Sequence, residues 1–203
     1  MTECSFRHLF LTFLCCAFSA FCLTACGPGN DVRLLAIDQP AVSVLPKPNA
    51  PTVTVVEFKD ARSNGTSVGQ RRDRSAFTTS DSPTLWISHA LADALSRHGF
   101  LVSYAKSFDQ ARKGNPDYMV TGKLERVWLK ESSATYIEAI LEAQFTLANR
   151  EKHLLRENNK SQSSRNWPST SNQTEEMLRD TMRDLVDPIA DKFANAIWKQ
   201  AKK

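Results

Sequence analysis

The sequence predicts an α+β domain: a mixed, largely antiparallel sheet of about four to five strands with two helices packed on one face. Residues 135–147 alternate apolar and polar side chains, the pattern of an antiparallel strand with one buried face. Two segments carry apolar residues at helical spacing, one after Ser82 and one after Ser171. Because strand patterns precede and separate the two helices, we expect both helices to cover a single sheet.

The first half of the domain begins with a short apolar run, Val53–Phe58, which is typical of a buried strand. Ser82 and Pro83 then predict a helix start, because serine caps free amides and proline fits the first helical position. Gly99 is expected to end this helix as the C′ residue. A second short strand is predicted over residues 100–104.

The second half begins with a strand after Pro116, and four of its residues are expected on one face: Tyr118, Val120, Leu124 and Trp128. Asn149 to Lys152 predicts a hairpin turn between the alternating strand and a more polar strand around residues 153–165. Ser171 is expected to cap the final helix. Pro188 lies inside that helix, and because proline lacks an amide hydrogen it predicts a kink or break near Val186.

The N-terminus resembles a secretory leader, since the uncharged apolar run of residues 9–25 follows Arg7. The run ends in Leu23-Thr24-Ala25-Cys26, a branched apolar residue, two small residues and a cysteine. This is the lipobox pattern of bacterial lipoprotein precursors. It predicts cleavage between Ala25 and Cys26, with a diacylglyceryl group on the Cys26 thiol and an acyl chain on the freed amine. An ordinary signal peptide that happens to contain Cys26, or an uncleaved anchor, stays open as an alternative.

These observations divide the chain into a signal peptide (1–25), a lipidated cysteine with a proline-rich tether (26–51) and one periplasmic α+β domain (52–203). Five of the nine prolines lie in residues 27–51, which predicts an extended tether rather than a helix. Apolar residues such as Val32 and Ile37 indicate that part of the tether lies along the domain, as an edge strand. Every cysteine other than Cys26 lies in the leader, so no disulfide is expected.

Composition and motifs argue against most chemical functions. A net charge of +4 with 24% charged residues is far from the strongly basic balance of a nucleic-acid-binding protein. Histidines at metal-ligand spacing, a nucleophile elbow and a phosphate-binding glycine loop are all missing from the sequence. We therefore expect no enzyme activity, no metal and no cofactor beyond the covalent acyl groups of Cys26.

A long polar loop after the first strand is the candidate partner loop. Asp60 and Arg62 leave the strand together and are expected to pair or to fix the start of the loop. Arg71, Arg72 and Arg74 form a basic cluster interrupted by one aspartate. This cluster is either a solvated loop or a contact for anionic lipid headgroups or an acidic partner.

Several short motifs together resemble the YajG-type family of bacterial lipoproteins. They are the lipobox, Asp60-Ala61-Arg62 with Val68-Gly69 downstream, the helix Leu85–His98 followed by Gly99–Val102, the strand Asp117–Leu124, and the C-terminal amphipathic helix. The order of elements is also similar to auxiliary lipoproteins of lipid-transport systems and to lipoprotein activators of cell-wall synthases. The resemblance implies a non-enzymatic periplasmic domain on a lipid anchor and transfers a definite role only to Cys26.

The expected function is that of a lipid-anchored binding or structural component with an envelope protein as partner. Residue 27 is glycine rather than aspartate, and this indicates the periplasmic face of the outer membrane. The alternative is an accessory subunit of a lipid-transport or cell-wall synthesis complex. A small-ligand or lipid carrier would require an apolar cavity, and a hydrolase would require catalytic residues that the motifs do not supply.

Overall fold

The computed structural model describes residues 29–37, 45–166 and 170–201, and within them a mixed sheet of eight strands with three helices. The strands are β1 (Thr52–Val56), β2 (Lys59–Asp60), β3 (Gly69–Gln70), β4 (Ala76–Phe77), β5 (Leu101–Ala105), β6 (Tyr118–Glu131), β7 (Tyr136–Asn149) and β8 (His153–Asn166). The helices are α1 (Pro83–Ser96), α2 (Phe108–Lys113) and α3 (Ser171–Ala201). The predicted α+β class is confirmed.

Strand β6 organises the sheet. On one side it pairs antiparallel with β7, which pairs in turn with β8, and each of the three strands is 14 residues long. On its other side β6 pairs in parallel with β1, β2 and β3, one after another along its length. Outside these short strands lie β5, parallel to β1, and β4, antiparallel to β3.

The core lies between the sheet and the two long helices α1 and α3. The alternation predicted from the sequence is confirmed, because the inward residues of β7 are all buried: Ile137, Ala139, Leu141, Ala143, Phe145 and Leu147. They share one hydrophobic cluster with the apolar residues of α1 and α3. The sequence analysis missed the short helix α2, which forms a separate small cluster where Ala111 meets Val56, Ala105 and Met119. These partners lie on the face of the sheet that does not pack against α1 and α3, and we call it the outer face.

Helix α1 begins as predicted. The Ser82 hydroxyl accepts a hydrogen bond from the Leu85 amide, and Pro83 is the first helical residue. The helix ends earlier than expected, with Arg97 as its cap, and Gly99 follows in a turn at φ +81°. Residues with a side chain rarely adopt this φ, so glycine is required by the turn rather than by the helix end itself.

Helix α3 corrects two predictions. The Thr170 hydroxyl accepts a hydrogen bond from the Gln173 amide, so Thr170, not Ser171, caps the helix. The predicted break near Val186 was wrong, because α3 continues through Pro188. Close to the proline, the side-chain Nδ2 of Asn159 in β8 donates to the Leu185 carbonyl at 2.7 Å, so a side chain from the sheet supplies a hydrogen bond in this turn.

Trp128 does not lie on the face expected from the alternation. A bulge in β6 between Leu124 and Arg126 shifts the register against β7, and Val127 and Leu129 become the buried residues. Trp128 is therefore placed opposite Ile140 on the outer face. One extra residue in a strand moves every following side chain to the other face, and no local sequence pattern marks it.

The segment of residues 29–37 lies on the domain instead of extending away from it. Its backbone forms a parallel bridge between Asp31 and Thr78, and the Val32 amide donates to the Thr78 carbonyl at 2.8 Å. Val32 and Ile37 are both buried. In the described residues, no helix is long and apolar enough to span a membrane.

Candidate functional site

Asp60 and Arg62 form an internal brace of the candidate loop. The Arg62 guanidinium donates to both Asp60 carboxylate oxygens, Nε to Oδ1 at 2.9 Å and Nη2 to Oδ2 at 2.8 Å. It also donates to the Gly65 carbonyl at 3.0 Å, and its side chain is only 6% exposed. These hydrogen bonds from Arg62 lower the pKa of the Asp60 carboxyl against the opposing effect of its partial burial. The expected pairing is present, and it uses Arg62 to hold the loop closed rather than to meet a partner.

Arg71 also contacts other residues of the domain. Its Nη2 donates to the Gly29 carbonyl at 2.6 Å, and its Nη1 lies 3.7 Å from the Glu131 carboxylate. The guanidinium carbon lies 4.6 Å from the centroid of the Phe77 ring, within cation–π range. Arg71 therefore fastens the start of the described chain, at Gly29, to the β3–β4 hairpin.

Arg72 and Arg74 are the members of the basic cluster that remain exposed. They lie in the turn between β3 and β4, which is closed by the Arg74 amide donating to the Arg71 carbonyl and the Arg71 amide donating to Ser75. Within this turn the Asp73 carboxylate accepts hydrogen bonds from the side chain and amide of Ser75, which lower its pKa. Of the five predicted loop residues, Asp60, Arg62 and Arg71 are held by side-chain contacts, whereas Arg72 and Arg74 have no ion pair with any described residue.

Ala25 and Cys26, the predicted cleavage and lipidation residues, lie outside the described residues. The first described residue is Gly29. Whatever the conformation between them, three consecutive Cα–Cα steps of about 3.8 Å place Gly29 within about 11 Å of Cys26. Since Gly29 is bonded to Arg71, the β3–β4 turn lies close to the predicted anchor.

The outer face carries a pocket of about 650 Å³ that sequence reasoning missed. It opens between the pairing of β1 with β6, which ends at Val55, and the pairing of β2 with β6, which begins at Lys59, so that three residues, 56–58, do not pair with β6. Phe58 turns inward there and packs against Gly122 and edge-on against Phe145, with ring centroids 5.4 Å apart. Any side chain at position 122 would collide with the Phe58 ring, so glycine allows the close approach.

Three lysines from separate elements surround this pocket: Lys59 of β2, Lys106 before α2 and Lys123 of β6. Lys59 and Lys123 are direct partners in the parallel pairing of β2 with β6, an arrangement that brings two like charges together. Among the described residues, no carboxylate lies within ion-pair distance of any of the three. Phe108, 48% exposed, adds an aromatic wall.

Glu57 is the one carboxylate in the described lining, and both of its oxygens accept hydrogen bonds from hydroxyl groups. Its Oε2 accepts from the Tyr104 hydroxyl at 2.7 Å and its Oε1 from the Thr84 hydroxyl at 3.2 Å. Burial, reinforced by the bond to Glu57, raises the pKa of Tyr104 to about 12, so tyrosine stays protonated and remains a donor. With three lysines and one carboxylate, the described lining carries a net positive charge.

Metal chemistry receives no support from the described part of the chain, in which no group of three metal-binding side chains comes together. No family model matches the sequence, and no curated protein matches it. Solved structures with a similar fold do exist.

The chain is similar in fold to protein XCC0632 from Xanthomonas campestris, a structure assigned to the family model DUF330. The two share 11% identity, with a TM-score of 0.59 over 85% of this chain and 98% of that one. A second structure, of a protein described only as uncharacterized, has 10% identity and a TM-score of 0.54 over 80% of this chain and 97% of that one. At these identities the likeness shows the fold alone.

The chain is less similar to lipoprotein GNA1162 from Neisseria meningitidis, with 14% identity and a TM-score of 0.41 over 71% of this chain and 99% of that one.

Proposed function

We propose that this protein is a non-enzymatic lipoprotein, anchored through Cys26 at the periplasmic face of the outer membrane, where it serves as a binding or structural component of the envelope. The observation that carries the proposal is the lipobox Leu23–Cys26, followed within three residues by chain that is already packed on the domain. Two or more acyl chains on one cysteine anchor a protein stably, whereas one chain binds a membrane only marginally. Gly27 in place of aspartate supports the outer membrane.

The proposal is tested by replacing Cys26 with serine and fractionating cells that express the full chain. We expect the wild-type protein in the outer-membrane fraction, with a mass that begins at Cys26 and includes acyl groups. The Cys26→Ser variant should lose both the acyl mass and the cleavage after Ala25. Cys22→Ser is the matched control, since it removes a leader thiol and should change neither result. An unmodified wild-type chain that still carries residues 1–25 would contradict the proposal.

A second candidate function is that of an accessory lipoprotein in a lipid-transport complex, and the pocket on the outer face favours it. The pocket combines cations at its rim, on Lys59, Lys106 and Lys123, with apolar surface from Phe108 and Val56. That combination matches an amphiphile with a phosphate group, because lysine binds phosphate as a point charge and the aromatic wall accepts hydrocarbon. The volume, about 650 Å³, is in the range of small-molecule sites.

This candidate is tested with the full chain in nonionic detergent, using native mass spectrometry to measure binding of dihexanoyl phosphatidylglycerol, dihexanoyl phosphatidylcholine and inorganic phosphate. We expect preference for phosphatidylglycerol and a loss of at least about tenfold in affinity for Lys59→Gln/Lys123→Gln. Lys130→Gln/Lys152→Gln removes the same charge elsewhere and should bind normally. Equal binding of both lipids, or equal loss in the two double variants, would reject the candidate.

A further inference from the structure

We propose that the β3–β4 turn, residues 71–75, is a membrane-contact surface that lies against anionic lipid headgroups beside the acyl anchor. The proposal rests on the lipidation of Cys26 proposed above and adds to it an orientation of the domain. Two exposed arginines, Arg72 and Arg74, contact the lipid headgroups. Arg71 holds the turn near the anchor through its hydrogen bond to the Gly29 carbonyl. The partner of this surface is a lipid bilayer, because acylation of Cys26 places the turn next to one.

The first argument is distance. Arg71 donates to the Gly29 carbonyl at 2.6 Å, and Gly29 lies within about 11 Å of Cys26 by covalent geometry. A cation held that close to an acylated cysteine is within about one to two Debye lengths of the headgroups at physiological ionic strength. By comparison, the β7–β8 turn around Glu151 lies at the other end of 14-residue strands, about 40 Å away.

The second argument is the backbone of Arg74. Three residues other than glycine have a positive φ in the described chain, and two of them, Asn49 and Asn115, are of the type that tolerates it. Arg74 has φ +70°. In a hairpin turn of this kind the position favours glycine or asparagine, so arginine here is unfavourable for the fold. An arginine at a position that the local backbone disfavours points to a role for its side chain.

The third argument is charge. Asp73 lies between the two arginines, but its carboxylate accepts both hydrogen bonds of Ser75 and is held against the turn backbone. Neither Arg72 nor Arg74 has an ion pair in the described structure. Each basic residue near an anionic leaflet contributes roughly a fivefold preference for the bound state, so the pair adds a second, electrostatic signal to the acyl anchor.

The test measures the distance between the turn and the bilayer in the anchored protein. The full chain is expressed with Ala76→Cys, or with Glu151→Cys as the distant site, purified from membranes and labelled with a fluorophore. It is then placed in nanodiscs that contain a lipid-borne quencher and either 30% phosphatidylglycerol or only phosphatidylcholine. Both positions are exposed, so labelling leaves the core intact. Mass spectrometry of the same sample establishes whether Cys26 is acylated, which separates a failure of the anchor from a failure of this proposal.

We expect severalfold stronger quenching at residue 76 than at residue 151 in discs with phosphatidylglycerol. Because the tether alone keeps residue 76 near the bilayer, that difference should shrink measurably but not vanish in phosphatidylcholine, at high salt, and in the Arg72→Gln/Arg74→Gln background. Lys113→Gln/Lys152→Gln is the matched control: it removes two exposed charges at the far end and should preserve the difference. Equal quenching at both positions in acylated protein, or quenching unchanged by the arginine variant, would overturn the proposal.

A single variant separates membrane contact from a role in folding. Arg74→Gly places the residue preferred at positive φ, so the melting temperature should stay the same or rise. Quenching at residue 76 should nevertheless fall. A lower melting temperature together with unchanged quenching would assign Arg74 to the fold and remove it from the contact surface.

Discussion

Strand β7 and the segment of residues 29–37 are held in place by different kinds of contact. Six side chains of β7 are almost fully buried, and both of its edges are paired along most of its length. The segment buries two apolar side chains, Val32 and Ile37, and is otherwise held by single hydrogen bonds and one ion pair. A strand such as β7 leaves the sheet only when the whole domain unfolds. A segment such as residues 29–37 can detach from the domain while the rest stays folded. The link to the predicted anchor is thus the less stable region.

An ion pair between Arg33 and Glu175 joins the segment to helix α3. The Arg33 guanidinium donates to the Glu175 carboxylate with Nη2 at 2.8 Å from Oε2, and the Arg33 amide donates to Oε1 at 3.2 Å. Glu175 is only 4% exposed, while Arg33 remains 67% exposed. Burial raises the pKa of Glu175, but the hydrogen bonds and charge of Arg33 outweigh it and leave the pKa below its usual value.

The largest effect is expected from β7. Phe145→Ala removes a fully buried ring that packs against Phe58, and it should lower the free energy of unfolding of the whole domain by about 3–5 kcal/mol. Denaturant unfolding followed by tryptophan fluorescence measures it. Phe108→Ala, at an exposed ring, is the control and should cost less than about 1 kcal/mol. If the two variants are equally stable, the core does not depend on this face of β7.

Glu175→Gln should release the segment and leave the sheet intact. The variant removes the negative charge of the acceptor, so the hydrogen bonds from Arg33 become neutral and weaker. Hydrogen exchange should show a roughly tenfold or greater loss of protection at the Val32 and Leu34 amides, with β7 unchanged. Glu176→Gln, an exposed neighbour, serves as control. Equal loss of protection in β7 would show that the segment and sheet unfold together.

Acid should act on the same contact. Because the pKa of Glu175 is lowered in the folded protein, its contribution is complete above the pKa of an unfolded glutamate, about 4.3, and is lost as the pH falls through the lower folded value. Protection factors of the Val32 and Leu34 amides should therefore stay constant from pH 7 to 5 and decrease below about pH 4. In Glu175→Gln this decrease should be reduced. A decrease already complete at pH 5 would assign the effect to another group.

The smallest effect is expected at an exposed hydrogen bond of the segment. The Asp81 carboxylate accepts from the Leu34 amide at 2.8 Å, and Asp81→Ala should lower local stability by about 0.5–1.5 kcal/mol. The change should appear in the exchange of the Leu34 amide and be nearly absent at Val32, which bonds to Thr78. Ser80→Ala tests for a general disturbance of this loop. Loss at both amides would mean that the segment opens as one unit.

Regular elements with a strong local pattern were predicted correctly. The alternation of β7 and the Ser82-Pro83 start of α1 depend on neighbouring residues, and local preferences were enough for both. The bulge before Arg126, the helix α2 and the short strands β2 to β4 were missed, because each depends on pairing or packing with distant chain. For the candidate loop, the sequence indicated the pair Asp60 and Arg62 but could not indicate that Arg71 bonds to Gly29.

The sequence by itself determined the α+β class, the strand with one buried face and the lipobox at residues 23–26, since each is a pattern of residue types at short spacing. The tertiary structure decided which basic residues are free. Arg62 and Arg71 are used within the fold, whereas Arg72 and Arg74 are left in a turn fastened to the start of the described chain. It also decided that three lysines surround one pocket. These outcomes depend on partners that are distant in sequence, and a local pattern carries no information about such partners.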